Sequence, residues 1–181
     1  MPSSAMLLFE DETIIPLFPG LRRGWSRKGE QALVPISGKN ARRVLFGAID
    51  MRTEHRIVAP YRNMGQVSFQ QFLRLLRQRY RARATWMLLD GAGCHKTPTS
   101  LQVAQELQIT LITLPKQCPE LNAMDHLWRA LKADVSANFQ YPNIDQHAMA
   151  AEKYILALSN KEALTKASIL SGNFWLKTFL K

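Results

Sequence analysis

Short apolar segments come first in this chain, and helical segments alternate with them only after residue 68. Six short apolar segments are predicted to be strands: 5–12, 32–36, 43–50, 56–60, 84–90 and 109–114. The first and the last of these are expected to be buried, and the last is strongly β-branched. A strand meander followed by β-α-β units predicts an α/β fold, with a mixed sheet that carries helices on its faces.

Five helical segments follow the meander, and local residue preferences place their starts. They are predicted over 69–82, 98–107, 119–137, 145–158 and 161–170. Ser68, Thr97 and Asp145 are expected to cap three of these helices, and Pro98 and Pro119 stand at first-turn positions where proline is favoured. In the helix over 69–82, apolar residues recur at helical spacing and arginines occupy the other face.

Composition excludes several classes of protein. The chain has 181 residues, 46% of them hydrophobic, which suits one domain with a real core. No apolar run approaches the ~20 residues of a membrane span, and the first residues lack the basic and apolar regions of a secretory signal. Cys94 and Cys118 are too few for a disulfide scaffold, and with the histidines they form no paired zinc-binding spacing.

Positive charge is concentrated in the first half of the chain. The formal net charge is +10, and residues 13–83 alone hold fifteen Lys or Arg against three acidic residues. A single basic pair is ordinarily a solvated surface feature. The whole stretch favours a nucleic-acid partner, because each neutralised phosphate releases counterions.

Three aspartates each follow an apolar run. Asp11 follows MLLFE and is expected to close the first strand, Asp90 closes WMLL, and Asp125 lies early in the helix opened by Pro119. Singly, each would be a turn residue or a helix cap. Two like charges ~4 Å apart repel by about 4 kcal/mol at an effective dielectric near 20, so an ionised cluster requires a cation. Carboxylate oxygens favour Mg²⁺ or Mn²⁺, and two such ions can drive an in-line phosphoryl displacement.

The motifs around these aspartates resemble those of DDE transposases of the mariner superfamily, including their bacterial insertion-sequence members. The segment LPKQCPELNAMDHLWRALK (114–132) resembles their PELNP-acid-HLW box, and LLDGAGCHK (88–96) and FEDET (9–13) resemble the boxes of the other two acids. The 34 residues between Asp90 and Asp125 match the family spacing. The loop 19–30 is also similar, and NFWLK (173–177) more weakly so. Gly91 and Ala123 stand where the family usually has Asn and Pro.

The resemblance implies an RNase H-like mixed sheet flanked by helices, with a DDE catalytic core over 1–140 and a helical C-terminal extension of the same domain over 141–181. Asp11, Asp90 and Asp125 would be catalytic and would hold two Mg²⁺ or Mn²⁺ ions. Water would then cleave a phosphodiester at a transposon end, and the freed 3′-hydroxyl would attack target DNA. The family also implies a homodimer, a bacterial cytoplasmic protein at the nucleoid, and no membrane partner.

Six further residues are candidates for DNA contact: Arg22, Arg23, Arg27, Lys28, His95 and Lys132. For His95, which follows Asp90 by five residues, a structural hydrogen bond is the alternative to a contact with the scissile phosphate. Glu12 is expected on the opposite face of the strand from Asp11, in a supporting or capping role. Leu127 and Trp128 are expected to anchor the helix of Asp125 against the sheet.

Two other functions stay open at this stage. One is a catalytically decayed remnant of a mobile element that still binds DNA. The other is a different RNase H-like nuclease, such as a resolvase or a hydrolase of RNA–DNA hybrids. The first acid stands close to Met1, with no room before it for a helix-turn-helix module. The chain is therefore expected to be a catalytic domain that depends on a separate or upstream DNA-recognition domain.

Overall fold

A five-stranded mixed sheet forms the centre of the computed structural model, which describes residues 5–53, 55–81 and 83–176. The strands are β1 (Met6–Pro16), β2 (Arg42–Asp50), β3 (Arg56–Tyr61), β4 (Thr85–Leu89) and β5 (Ile109–Thr113). Their order is β3-β2-β1-β4-β5, in which β1, β2 and β3 are antiparallel and β4 and β5 run parallel to β1. The predicted mixed sheet is confirmed.

Helices cover both faces of this sheet. They are α1 (Gln66–Arg79), α2 (Pro98–Glu106), α3 (Ala123–Leu131), α4 (Ile144–Ala157) and α5 (Asn160–Lys166). Side chains alternate along β1, so Leu8 joins the core beneath α1 and α2, whereas Phe9 joins the core beneath α3, α4 and α5. No helix in the described ranges is long and apolar enough to span a membrane.

Three strand predictions need correction. The first strand continues to Pro16, because its residues beyond Asp11 pair with β2, so Asp11 lies within the strand and does not close it. Residues 32–36 form no strand, and Leu33 is 82% exposed. Strand β5 is an edge strand with several side chains partly exposed, which differs from the buried strand predicted for 109–114.

The helix starts agree with the predictions only in part. Thr97 caps α2 as expected, with its hydroxyl accepting from the Ser100 N–H, and Pro98 opens the helix. Ser68 is not the cap of α1. It is buried inside that helix, which begins after Gly65. Asp145 lies in the first turn of α4, and the capping side chain is that of Asn143.

The segment 119–137 is divided into three pieces. A single 3₁₀ turn over Pro119–Leu121 precedes α3, and a π-helical turn over Lys132–Ser136 follows it. The break after Leu121 lets Asn122 adopt an extended conformation and cap α3. The single helix predicted over 119–137 is thus the short helix α3 with a separate turn on each side. Its start is set by Asn122 and not by Pro119.

Helix α3 lies unusually close to the sheet because β2 has a glycine beneath it. A Cβ at Gly47 would lie 2.5 Å from Cζ2 of Trp128 and 2.6 Å from the terminal methyl of Met124. Trp128 and Leu127 are both buried, at 2% and 0% exposed, in agreement with the predicted anchoring role. Since Gly47 is the β2 neighbour of Asp11, this contact lies next to the first acid.

Candidate active site

The register of β1 and β4 brings the first two aspartates together. These strands are parallel, and Phe9 pairs with Leu88. Asp11 lies two residues beyond Phe9, and Asp90 lies two residues beyond Leu88, so the two acids leave adjacent strands at the same level. In sheets of this kind functional groups collect where parallel strands end.

Asp125 reaches the same place from the first turn of α3. Asn122, which is buried, accepts a hydrogen bond from the Met124 N–H through Oδ1 (3.1 Å). Its Nδ2 donates to the backbone carbonyl of Glu10 at 2.8 Å. One amide side chain therefore caps α3 and ties that cap to the residue before Asp11, which fixes the third acid relative to the first.

An open cleft of about 470 Å³ contains all three aspartates. Its other wall is the loop between β5 and α3, which contributes Lys116, Gln117 and Cys118. The Asp90 side chain is 56% exposed and that of Asp125 is 27% exposed. The acids therefore face a cleft that is open to solvent.

The electrostatics of the cleft fit a divalent cation. Burial raises the pKa of Asp11 to about 7, and the charges of Glu12, Asp125 and Asp90 add to that rise. The pKa of Asp90 is shifted in the opposite direction, because its hydrogen bond with His95 holds that pKa below the usual value. Within the described residues Asp125 has one ion pair, with Arg129 at 2.5 Å. Three hard oxygen donors facing one open space suit Mg²⁺ or Mn²⁺.

His95 lies behind this cleft and not in it. Its ring is 1% exposed, with Nδ1 3.2 Å from Oδ1 of Asp90 and Nε2 2.9 Å from Oε1 of Glu12. Burial by itself lowers the pKa of His95, but hydrogen bonds with Asp90, Cys94 and Glu12 outweigh it and raise the pKa above its ordinary value. A ring so enclosed does not agree with the predicted contact to DNA. The structural hydrogen bond, the alternative named above, is what the structure shows.

The other candidates for DNA contact are at the surface. Arg22, Arg23, Arg27 and Lys28 are all exposed in the loop 17–41 that joins β1 to β2. This loop is held to the body of the protein near Asn138, whose Oδ1 accepts from the Arg22 N–H at 2.8 Å.

Lys132, the last candidate for DNA contact, lines a second cleft together with Arg22. This cleft has a volume of about 440 Å³ and also includes the exposed ring of Phe18. Contact of any of these residues with DNA stays a prediction.

Two supporting residues were missed by sequence reasoning. Asn122 stands inside the PELN motif, so the motif itself marked it, although its bond to Glu10 crosses more than a hundred residues. Glu10 gave no signal, because a carboxylate within an apolar run is ordinarily exposed. It is fully buried, and burial raises its pKa well above the ordinary value, with the charge of Glu12 adding to the rise.

Solved structures with the same fold are transposases. The chain resembles the Mos1 transposase paired-end complex with left transposon end at a TM-score of 0.70 and 15% identity, covering 95% of this chain and 54% of that one. It also resembles the catalytic domain of Mos1 mariner transposase at a TM-score of 0.61 and 14% identity, covering 91% and 76%. Both matches show the RNase H-like fold that the motifs implied.

Sequence comparisons agree with the fold. The insertion element IS630 uncharacterized 39 kDa protein of Shigella sonnei is 26% identical over 136 residues, which are 74% of this chain and 40% of that protein. The chain thus spans about two fifths of the length of this relative. The family model for DDE superfamily endonucleases matches residues 6–147. Because that match covers most of the chain, the protein belongs to the DDE superfamily endonuclease family.

Proposed function

We propose that this protein is the catalytic domain of a transposase, which cleaves DNA phosphodiesters at transposon ends with divalent metal ions and joins the freed ends to target DNA. The convergence of Asp11, Asp90 and Asp125 on one open cleft carries the proposal. Asp11 supports it independently, because a carboxyl with its pKa raised to about 7 by burial and by neighbouring carboxylates favours a cation beside it.

The residues in and behind the cleft have distinct parts in this proposal. Asp11, Asp90 and Asp125 would hold two Mg²⁺ or Mn²⁺ ions, which would supply an activated water and stabilise the departing oxygen. His95 keeps Asp90 ionised and oriented through the contact of Nδ1 with Oδ1. Asn122 sets the position of α3, and with it that of Asp125. Lys116 lines the cleft, where its ammonium group would meet a DNA phosphate.

DNA is the proposed partner because Lys116 lines the anionic cleft and the chain carries further exposed basic residues outside it. The exposed arginines and lysine of loop 17–41 supply phosphate contacts that do not depend on sequence. A solved Mos1 assembly is named as a strand transfer complex, and another as a paired-end complex with Mn. By analogy we assign to this chain a homodimeric state, a separate or upstream domain for recognition of the transposon ends, and a place at the bacterial nucleoid.

Nicking of supercoiled plasmid DNA tests the cleavage step. With Mg²⁺ or Mn²⁺ the protein is expected to relax the plasmid, and chelation is expected to stop the reaction. Asp90→Asn and Asp125→Asn are expected to abolish nicking. Asp145→Asn is the matched control, because Asp145 is exposed on α4 and pairs with Arg43 away from the cleft. Equal nicking by Asp125→Asn and Asp145→Asn would remove Asp125 from the site.

The same assay separates the other two functions. A DNA-binding remnant would retard duplex DNA in a gel but would leave the plasmid intact with either metal ion. A hydrolase of hybrids would cut an RNA–DNA duplex faster than a DNA duplex of the same sequence. Strand transfer is tested with a labelled DNA duplex that carries free 3′-hydroxyls, whose covalent joining to the plasmid is expected to require all three aspartates.

A further inference from the structure

We propose that the chain has a second metal site, for a zinc-like transition-metal ion, behind the catalytic strand at Glu12, Cys94 and His95, with Glu10 as the fourth ligand. The site lies on the face of β1 opposite to Asp11, since Glu10 and Glu12 alternate with Asp11 along the strand. The proposal is independent of the function proposed above.

The ligand atoms are already gathered. One ligand atom from each of Glu12, Cys94 and His95 lies within 4.8 Å of the others. Oε1 of Glu12 is 2.9 Å from Nε2 of His95 and 3.5 Å from Sγ of Cys94. In a tetrahedral zinc site with bonds of about 2.0–2.3 Å, neighbouring ligand atoms are about 3.3–3.7 Å apart. To bind a cation, Nε2 of His95 and Oε1 of Glu12 would have to move apart by about 0.4 Å, whereas the distance from Oε1 to Sγ already fits.

Glu10 is the independent observation that points to a ligand. Its side chain is 0% exposed, and neither carboxylate oxygen has a hydrogen-bond partner among the described residues. A buried carboxylate without a partner is costly, and such groups are ordinarily paired or bound to a metal. Oε2 of Glu10 lies 3.7 Å from Nε2 of His95, so the carboxylate is directed into the cluster. A cation there would satisfy Glu10 and complete a fourfold set of ligands.

The chemistry of the ligands differs from that of the catalytic cleft. A thiolate, an imidazole and carboxylates select a borderline ion such as Zn²⁺, whereas three aspartates select Mg²⁺ or Mn²⁺. Binding would displace the thiol proton of Cys94 and any proton on Nε2 of His95.

The far side of His95 shows the arrangement expected around a metal-binding histidine. Such a histidine ordinarily donates its other ring N–H to a carboxylate or a carbonyl, which fixes the ring. Nδ1 of His95 lies 3.2 Å from both Oδ1 and the backbone oxygen of Asp90. The second site would therefore hold the imidazole that orients Asp90, and the contact between His95 and Asp90 would link the two metal sites.

Cobalt absorption spectroscopy tests the site without any activity measurement. The protein is stripped of metal with a chelator and titrated with Co²⁺, which gives a near-ultraviolet charge-transfer band when a thiolate binds it. We expect one equivalent per chain to produce the band, Zn²⁺ to remove it, and excess Mg²⁺ to leave it unchanged. Cys94→Ser is expected to abolish the band. Cys118→Ser, the matched control from the wall of the catalytic cleft, is expected to retain it.

Three more variants keep the test decisive if Cys94→Ser is not folded by circular dichroism. Glu12→Gln is expected to weaken Co²⁺ binding at least tenfold. Asp90→Asn, which removes the carboxylate behind His95, is expected to weaken it by about 10–100-fold, and Asp11→Asn with Asp125→Asn is expected to retain the band. The proposal is wrong if the folded wild-type protein gives no band, or if Cys118→Ser loses the band and Cys94→Ser retains it.

Discussion

Gly47→Ala is the substitution that tests most directly how the third aspartate is positioned. The added methyl group would lie 2.5 Å from Cζ2 and 2.6 Å from Cη2 of Trp128, and 2.6 Å from the methyl of Met124. Carbon atoms in contact prefer about 3.5–4.0 Å. The methyl of Met124 is the end of a flexible chain, but the Trp128 ring is buried between sheet and helix at 2% exposure.

The expected cost is a balance of two opposing effects. Overpacking a buried site costs about 1–3 kcal/mol in unfolding free energy. Replacement of glycine by alanine returns about 0.4–1 kcal/mol by restricting the unfolded chain, since Gly47 has no left-handed backbone conformation that alanine would strain. We expect a net loss of about 1–2 kcal/mol. Because Asp125 lies one turn before Trp128, we also expect plasmid nicking to fall, by as much as 100-fold for a displacement of about 1 Å.

Urea unfolding followed by circular dichroism measures the loss as a lower midpoint at unchanged slope. Gly24→Ala is the matched control, because a Cβ there meets no atom within 4 Å. A double-mutant cycle with Trp128→Leu then isolates the contact, and the cost of Gly47→Ala is expected to be largely lost in the Trp128→Leu background. A cost that is absent, or that is the same in both backgrounds, would refute the explanation that the indole requires a glycine.

Three further variants have defined outcomes. Asn122→Ala is expected to lower the unfolding free energy by about 1–3 kcal/mol, because it removes a helix cap and leaves the Glu10 carbonyl without the Asn122 hydrogen bond. Urea unfolding measures the loss of stability, and plasmid nicking is expected to fall as well. Ser159→Ala removes the capping box of α5 and is expected to cost about 1 kcal/mol in a thermal melt, with nicking by the folded protein unchanged. Arg22→Ala combined with Lys132→Ala is expected to make the slope of log affinity against log salt less negative by about 2, as measured by anisotropy of a labelled duplex. Lys153→Ala, the control on α4, is expected to leave that slope within error.

The sheet and the aspartates were predictable because their signals are local. The mixed sheet follows from a meander of apolar runs that precedes β-α-β units, and each aspartate is marked by the apolar run before it and by its family motif. The wrong predictions also came from local signals. The segment 32–36, with Leu33 and Ile36, has the apolar composition of a strand, but no strand of the described sheet pairs with it. Gly65 starts α1 because tertiary contacts bury Ser68, a residue whose preference alone favours the cap.

The supporting residues were not predictable because each depends on a partner far away in the chain. Gly47 is required only because Trp128 packs on it, and Glu10 has a role only because the fold places it beside His95. Cys94 and His95 lack a metal-binding spacing in the sequence, since the carboxylates that complete the cluster come from β1. A pattern search along the chain finds ligands that are close in sequence and misses ligands that a sheet brings together.

Strand β1 extends beyond the end of its parallel neighbour β4, and this difference in length affects the solubility of the protein. Beyond Phe9 the side of β1 that faces β4 pairs with no strand in the described part of the chain, so this stretch is an open edge inside the sheet. Open edges are templates for pairing with other chains, and natural proteins cover them. The Asn122 amide covers this one by donating to the Glu10 carbonyl. Loss of that side chain is therefore expected to promote self-association of the folded protein, which light scattering would detect before any unfolding.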